Sequence, residues 1–243
     1  MSNKFKKITE IKENDFTSNL FTFDIDWVED FVLEVVLDIL DKYNVKSTFF
    51  VTHESDLISQ LKINNNVDCG IHPNFNPLLN GDFRYGKNAQ EVLEYYLKMV
   101  PNATSIRAHS VCECGNFSTI YEKLGIEYDS NVYIPHYSDI EPSSWKVHNK
   151  NIIKVPITFA DDELLVTSSI STDLVKQLLN KNGLKVLDFH PIHIFLNSEN
   201  IERYNNTRPY LNNYDELKKH INKNAYGVKD LFIDIIEEML KND

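Results

Sequence analysis

The sequence predicts an α/β fold, an incomplete or distorted (β/α) barrel with about seven parallel strands. Three observations carry this expectation. Short β-rich runs alternate with helical runs along the whole chain, which implies parallel pairing through right-handed crossovers. The first strand leads into Asp24-Ile25-Asp26-Trp27, not into the glycine-rich turn of a dinucleotide-binding doubly wound sheet. Histidines and acidic residues fall at the C-terminal ends of the expected strands, the rim where α/β barrels gather catalytic groups.

The elements follow in order. Residues 19–26 (NLFTFDID) read as the first strand. Val28, Val32, Val35, Val36, Ile39, Leu40 and Tyr43 then recur at the spacing of one helical face. Strand 46–52, a short helix near 56–63 and strand 67–72 come next. Helix 89–100 precedes strand 105–110, and a helix over 117–124 stops at Gly125. Short strand 127–131, strand 151–158, helix 172–182 and a strand within 184–195 complete the alternation. The polar run 197–213 reads as a loop, and with Tyr204, Arg208 and Tyr210 it either covers a substrate or is plain surface. A last amphipathic helix carries Val228, Leu231, Phe232, Ile235, Ile236, Met239 and Leu240.

The 243 residues carry 36 acidic and 25 basic side chains, a net charge of −11, with 42% hydrophobic residues. That is apolar mass for one substantial core, read as a single domain over 1–243. The acidic balance argues against nucleic-acid partners and anionic membranes. No run of about 18 apolar residues spans a membrane. The first 20 residues lack a signal-peptide core, so a cytoplasmic protein is expected. The odd, sparse cysteines Cys69, Cys112 and Cys114 read as reduced thiols.

The chemistry collects at the strand ends. Asp24 and Asp26, two apart, would share one face of an extended strand, where paired carboxylates call for a cation or a base role. Alternatively Asp26 caps the helix expected near Trp27. His72 and Asn76 stand at i and i+4, a pair that chelates an ion on a helical turn, unless His72 is simply a turn residue beside Pro73. His190 at the rim suits a general acid or a histidine bonded to a carbonyl. Arg107, in a small and apolar strand, needs a carboxylate partner, Asp24 foremost, unless it snorkels.

These residues resemble the motifs of the polysaccharide deacetylases, metal-dependent carbohydrate esterases related to chitin and peptidoglycan deacetylases. Thr22-Phe23-Asp24-Ile25-Asp26 is similar to their first motif, and Ser47-Thr48-Phe49-Phe50-Val51 to the strand that follows. His72-Pro73-Asn74-Phe75-Asn76 stands where the family has His-Ser/Thr-x-x-His, with Asn76 in place of the second histidine. Arg107 opens the third motif, with His109 and Ser110 replacing the usual proline and aromatic residue. Tyr128-Asp129-Ser130-Asn131, Val155-Pro156-Ile157 with Asp161-Asp162, and Leu187-Asp188-Phe189-His190 resemble the later segments. The likeness runs from about Leu20 to Phe195, and the lack of a secretion signal aligns the chain with the divergent intracellular branch of O-antigen and other surface-polysaccharide gene clusters.

The resemblance implies a deacetylase-type TIM-like barrel and a hydrolase removing an acyl group, N-acetyl foremost, from a sugar. It implies Asp24 as general base steered by Arg107, and His190 as general acid. Asp161 or Asp162, or locally Asp188, would orient His190. Asp26, His72 and Asn76 would bind a divalent metal, zinc or another first-row transition metal. An amide is a weaker ligand than imidazole, so His109 or His53 is the alternative third donor. Trp27, His53, His109 and His193 are expected around the substrate, a small, nucleotide-linked or lipid-linked sugar. The rival readings are a degenerate sugar-binding or regulatory protein on the same scaffold, and hydrolysis of another non-peptide C–N bond.

Overall fold

The computed structural model describes residues 4–167 and 170–241. Nine strands form one sheet: β1 (Asn19–Asp24), β2 (Ser47–Val51), β3 (Val67–Ile71), β4 (Ser105–Ile106), β5 (Tyr128–Asp129), β6 (Trp145–Lys146), β7 (Ile153–Lys154), β8 (Phe159–Ala160) and β9 (Lys185–Phe189). Their order is β6-β7-β5-β4-β3-β2-β1-β9-β8, with every pairing parallel except β6 with β7. β7 and β8 are the ends of one continuous stretch. Within it, the N–H groups of Val155 and Ile157 bond to Asp129 and Val132, while that of Thr158 bonds to Val186. One run of chain therefore touches both sides of the sheet, which curls into a half-barrel. The expected barrel class is found, with nine strands rather than seven. The extra ones are the short hairpin partner β6 and β8, which begins just beyond the strand expected over 151–158.

The helices are α1 (Asp30–Tyr43), α2 (Asp56–Leu61), α3 (Asn76–Leu79), α4 (Ala89–Met99), α5 (Phe117–Leu124), α6 (Asp161–Thr167), α7 (Asp173–Asn180), α8 (Pro191–Leu196), α9 (Ile201–Thr207), α10 (Tyr214–Leu217) and α11 (Val228–Lys241). Strand alternation divides the core in two. Phe21, Phe23 and Phe49 face outward into the layer beneath the helices, where Phe232 of α11 meets Phe21 and Phe23 edge-on at 5.1 and 5.7 Å. Leu20, Phe50, Val155 and Val186 face inward and form a separate cluster with Ile8 and Ile11 of the N-terminal segment. That segment plugs the base of the half-barrel, and the Ile8 N–H bonds to Thr48 Oγ1 at 2.9 Å. The interior is narrow. A Cβ on Gly70 would lie 2.5 Å from Ser105 Oγ and 2.8 Å from the Phe50 ring, so only glycine fits there.

Two local expectations are corrected, and each correction shapes the site. The first strand ends at Asp24, because Asp26 and Trp27 take left-handed φ values of 39° and 57°. α1 starts at Asp30 with Glu29 as its N-cap, so Asp26 caps no helix. The strand expected within 184–195 is found over Lys185–Phe189, and Pro191, lacking an N–H, opens α8 after it. The expected loop 197–213 holds α9 and a 3₁₀ turn over Arg208–Tyr210. No helix among the described residues is long and apolar enough to cross a membrane.

Candidate active site

Above the inner apolar cluster lies Arg107, fully buried, with its guanidinium 4.4 Å from the centre of the Phe50 ring. Its Nη1 donates to Thr22 Oγ1 and Asp24 Oδ1, both at 3.0 Å, and pairs closely with Asp188; its Nη2 donates to Ser130 Oγ at 2.9 Å. Thr22 Oγ1 also donates to Asp188 Oδ1 at 3.0 Å. Inward-facing positions on β1 and β9 thus meet the residues that follow β4 and β5. A buried guanidinium with two carboxylates offsets the desolvation that a lone charge would suffer. Burial pushes the Asp188 carboxyl well up against the pull of Arg107, with the nearby Asp24 charge adding to the rise. Asp188, the local rival for orienting His190, is therefore a partner of Arg107.

One level higher, Asp26, His72 and His109 bring donor atoms within 4.8 Å of one another. His109 Nδ1 lies 3.0 Å from Asp26 Oδ1, and His72 Nε2 lies 3.4 Å from the same oxygen. Burial would raise the Asp26 carboxyl, but hydrogen bonds to His109 and His72 and the charge of His190 hold it well below the usual range. The Asp26 hydrogen bond lifts the His109 pKa. Both loops that carry these side chains are strained at non-glycine residues: Asp26 and Trp27 in one, Ser110 and Val111 (φ 58° and 51°) in the other. Such conformations cost of the order of 1–3 kcal/mol each and cluster at functional sites.

His190 completes the rim. Its Nδ1 lies 2.7 Å from Asp161 Oδ1, and its backbone N–H donates to Asp161 Oδ2 at 2.9 Å, so Asp161 is the acidic residue that orients it. Nε2 is left facing inward, 3.7 Å from Asp26 Oδ2. Burial disfavours a charged His190, but the charge and hydrogen bond of Asp161 outweigh this and hold its pKa well up. Burial lifts Asp161 to about 6. Both shifts favour keeping a proton on the pair.

A cavity of about 220 Å³ is lined by Asp24, Asp26, His72, His109, Asp188 and His190 among others. A second, of about 580 Å³, shares Asp26, His109, Asp162 and His190 and continues past Trp27, His193, Tyr204 and Arg208. Of the residues expected at the site, these cavities bring together all but Arg107, His53 and Asn76. Arg107 lies directly beneath. His53 lines a neighbouring hollow with Trp27, Tyr85 and Tyr95, its Nδ1 2.9 Å from Thr52 Oγ1. Asn76 is exposed and lines none of these cavities; its backbone N–H bonds to Asn74 Oδ1. His72 directly follows β3 and Asn76 starts the next helix, so the two never share the helical turn their spacing suggests. His109 stands at the third corner instead. The Asp26–His72–His109 donor set suits a zinc-like cation.

A curled sheet with this rim is the architecture of the polysaccharide deacetylases. A candidate polysaccharide deacetylase from Mycobacterium smegmatis shares the fold, with a TM-score of 0.50 at 18% identity over 75% of this chain and 82% of that one. Residues 21–208 match the WbmS-like polysaccharide deacetylases, and the chain belongs to that family. WbmS of Bordetella bronchiseptica, described as a candidate polysaccharide deacetylase involved in O-antigen biosynthesis, superposes with a TM-score of 0.89 at 30% identity, covering 97% of this chain and 98% of that one. No curated protein matches the sequence.

Proposed function

We propose that this protein is a metal-dependent hydrolase that removes an acyl group, N-acetyl foremost, from a sugar intermediate of surface-polysaccharide assembly. The observation that carries the reading is the convergence of a carboxylate on a buried arginine, a carboxylate-backed histidine and a three-residue donor set around one cavity. Family membership and the WbmS likeness support the sugar substrate.

Asp26, His72 and His109 would hold the ion. When bound, it supplies Lewis-acid polarisation of the acyl carbonyl. Asp24, fixed from behind by Arg107, takes a proton from the attacking water. His190, with Nδ1 committed to Asp161, delivers a proton from Nε2 to the departing amine. Trp27 and His193 line the larger cavity, where the rest of the sugar is held.

Acetate release from a panel of N- and O-acetylated sugars tests this. Turnover is expected with divalent metal and to be lost on chelation. Asp24→Asn and His190→Ala should each lower kcat by about 10²–10⁴ with an unchanged circular dichroism spectrum. Full activity in either variant would overturn these roles. Absence of turnover across the panel, with metal bound, would favour the sugar-binding alternative.

A further inference from the structure

The chain has four arginines, and three are matched to carboxylates: Arg84 with Asp82, Arg203 with Glu199, and Arg107 with Asp24 and Asp188. Arg208 forms no ion pair among the described residues. It is exposed, and its guanidinium lies 5.2 Å from the centre of the Tyr204 ring on the wall of the larger cavity. It is the sole lysine or arginine lining either cavity at the site; the other charged side chains there are aspartates, one glutamate and histidines. Ring-to-ring steps of 5.7 Å from His190 to His193 and 5.1 Å from His193 to Tyr204 connect it to the proposed general acid. A cation after the last turn of α9 also complements that helix's dipole, but this does not require a side chain laid on a cavity wall.

We propose that Arg208 binds an anionic group of the substrate, a carboxylate or a phosphate, so that the enzyme acts on an acidic or phosphorylated N-acyl sugar in preference to a neutral one. This rests on the deacetylase reading above. The planar guanidinium, held against Tyr204, offers paired N–H donors matched to either oxyanion. Away from the proposed ion site and its histidines, the acidic residues of the cleft repel the same group, and Arg208 is the point on that wall that attracts it. That combination of attraction at one point and repulsion around it sets the register of the sugar.

Three probes separate the sources of the anion: N-acetylglucosamine as the neutral sugar, an N-acetylhexosaminuronic acid for the carboxylate, and UDP-N-acetylglucosamine for the phosphate. Binding is measured by calorimetry in the inactive Asp24→Asn protein, with His190→Ala as a second inactive background, alone and combined with Arg208→Gln. One anionic probe should bind more tightly than the neutral sugar, and Arg208→Gln should erase that preference by a factor on the order of ten to a hundred, the size of a lost charge-assisted contact. Arg208→Lys should restore part of it. Equal binding of all three probes, or a preference that survives Arg208→Gln, overturns the proposal. Because binding is read without turnover, an Arg208-dependent preference in a protein that releases no acetate would sink the hydrolase reading and leave the anion site standing.

Discussion

Two clusters of charge lie one layer apart, and they are built differently. In the lower one, Arg107, Asp24, Asp188, Thr22 and Ser130 are all buried and satisfy one another at hydrogen-bond distance. In the upper one, Asp26 serves His72, His109 and His190 at once, at separations of 3.0 to 3.7 Å, on loops with strained backbone. The lower cluster pairs one guanidinium with two carboxylates and holds Asp24 in place at the floor of the cavity. The upper one lines the same cavity and gathers three imidazoles around one carboxylate, with no guanidinium among them. A guanidinium set between two carboxylates is scaffolding, whereas a carboxylate among converging imidazoles is a donor set for an ion.

Four substitutions break or sharpen this contrast. Arg107→Leu should be the most damaging, since it strands two buried carboxylates. A loss of about 3–5 kcal/mol is expected, read by urea denaturation, and adding Asp188→Asn should recover part of it. An unchanged midpoint would show that the lower cluster is not scaffolding. Acid titration comes next. Burial depresses His193 to about 3 from 6.5. A depressed folded pKa stabilises the fold above 6.5, and that contribution is lost as pH falls toward 3. The slope is at most about 1.4 kcal/mol per pH unit. His193→Gln should flatten this fall; the same acid slope in both proteins would refute the assignment.

His109→Ala should leave apo-protein stability nearly intact while weakening divalent-metal binding at least about tenfold, measured by competition with a chromophoric chelator. Unaltered metal affinity would remove His109 from the donor set. Asn76→Ala carries the smallest expectation. Metal affinity and stability should both stay within about twofold, the range of an exposed substitution. A clear loss of metal would return Asn76 to the role its spacing suggests.

Much of the barrel was legible along the chain because each strand and helix buries one face and so leaves a periodic trace. Helices near 30–43, 89–99, 117–124 and 228–241 fall where apolar spacing predicts them. Pro191 ends the last strand where its missing N–H requires, and the helix it then opens left no sequence signal of its own. The polar run that forms α9 hid its role for a related reason. Half-buried Tyr204 on α9 and exposed Arg208 just after it line the cavity, and so short a helix, built mostly of polar residues, leaves little apolar trace.

At the site, Asp24 with Arg107 followed from the cost of burying an unpaired guanidinium, and it is found as expected. Asp188 as its second partner did not follow, because pairing across β1 and β9 is a matter of register. The choice of Asp161 over Asp162 and Asp188 as the partner of His190 likewise waited on three dimensions.

Sequence alone determined the strand–helix alternation and the kinds of residue at the rim, since periodicity and the cost of buried charge are local properties of a chain. Which side chains share a corner was decided only by tertiary structure. Left-handed turns at Asp26 and Ser110 aim Asp26 and His109 at each other across 83 positions of chain, and nothing within either segment encodes the distance between them.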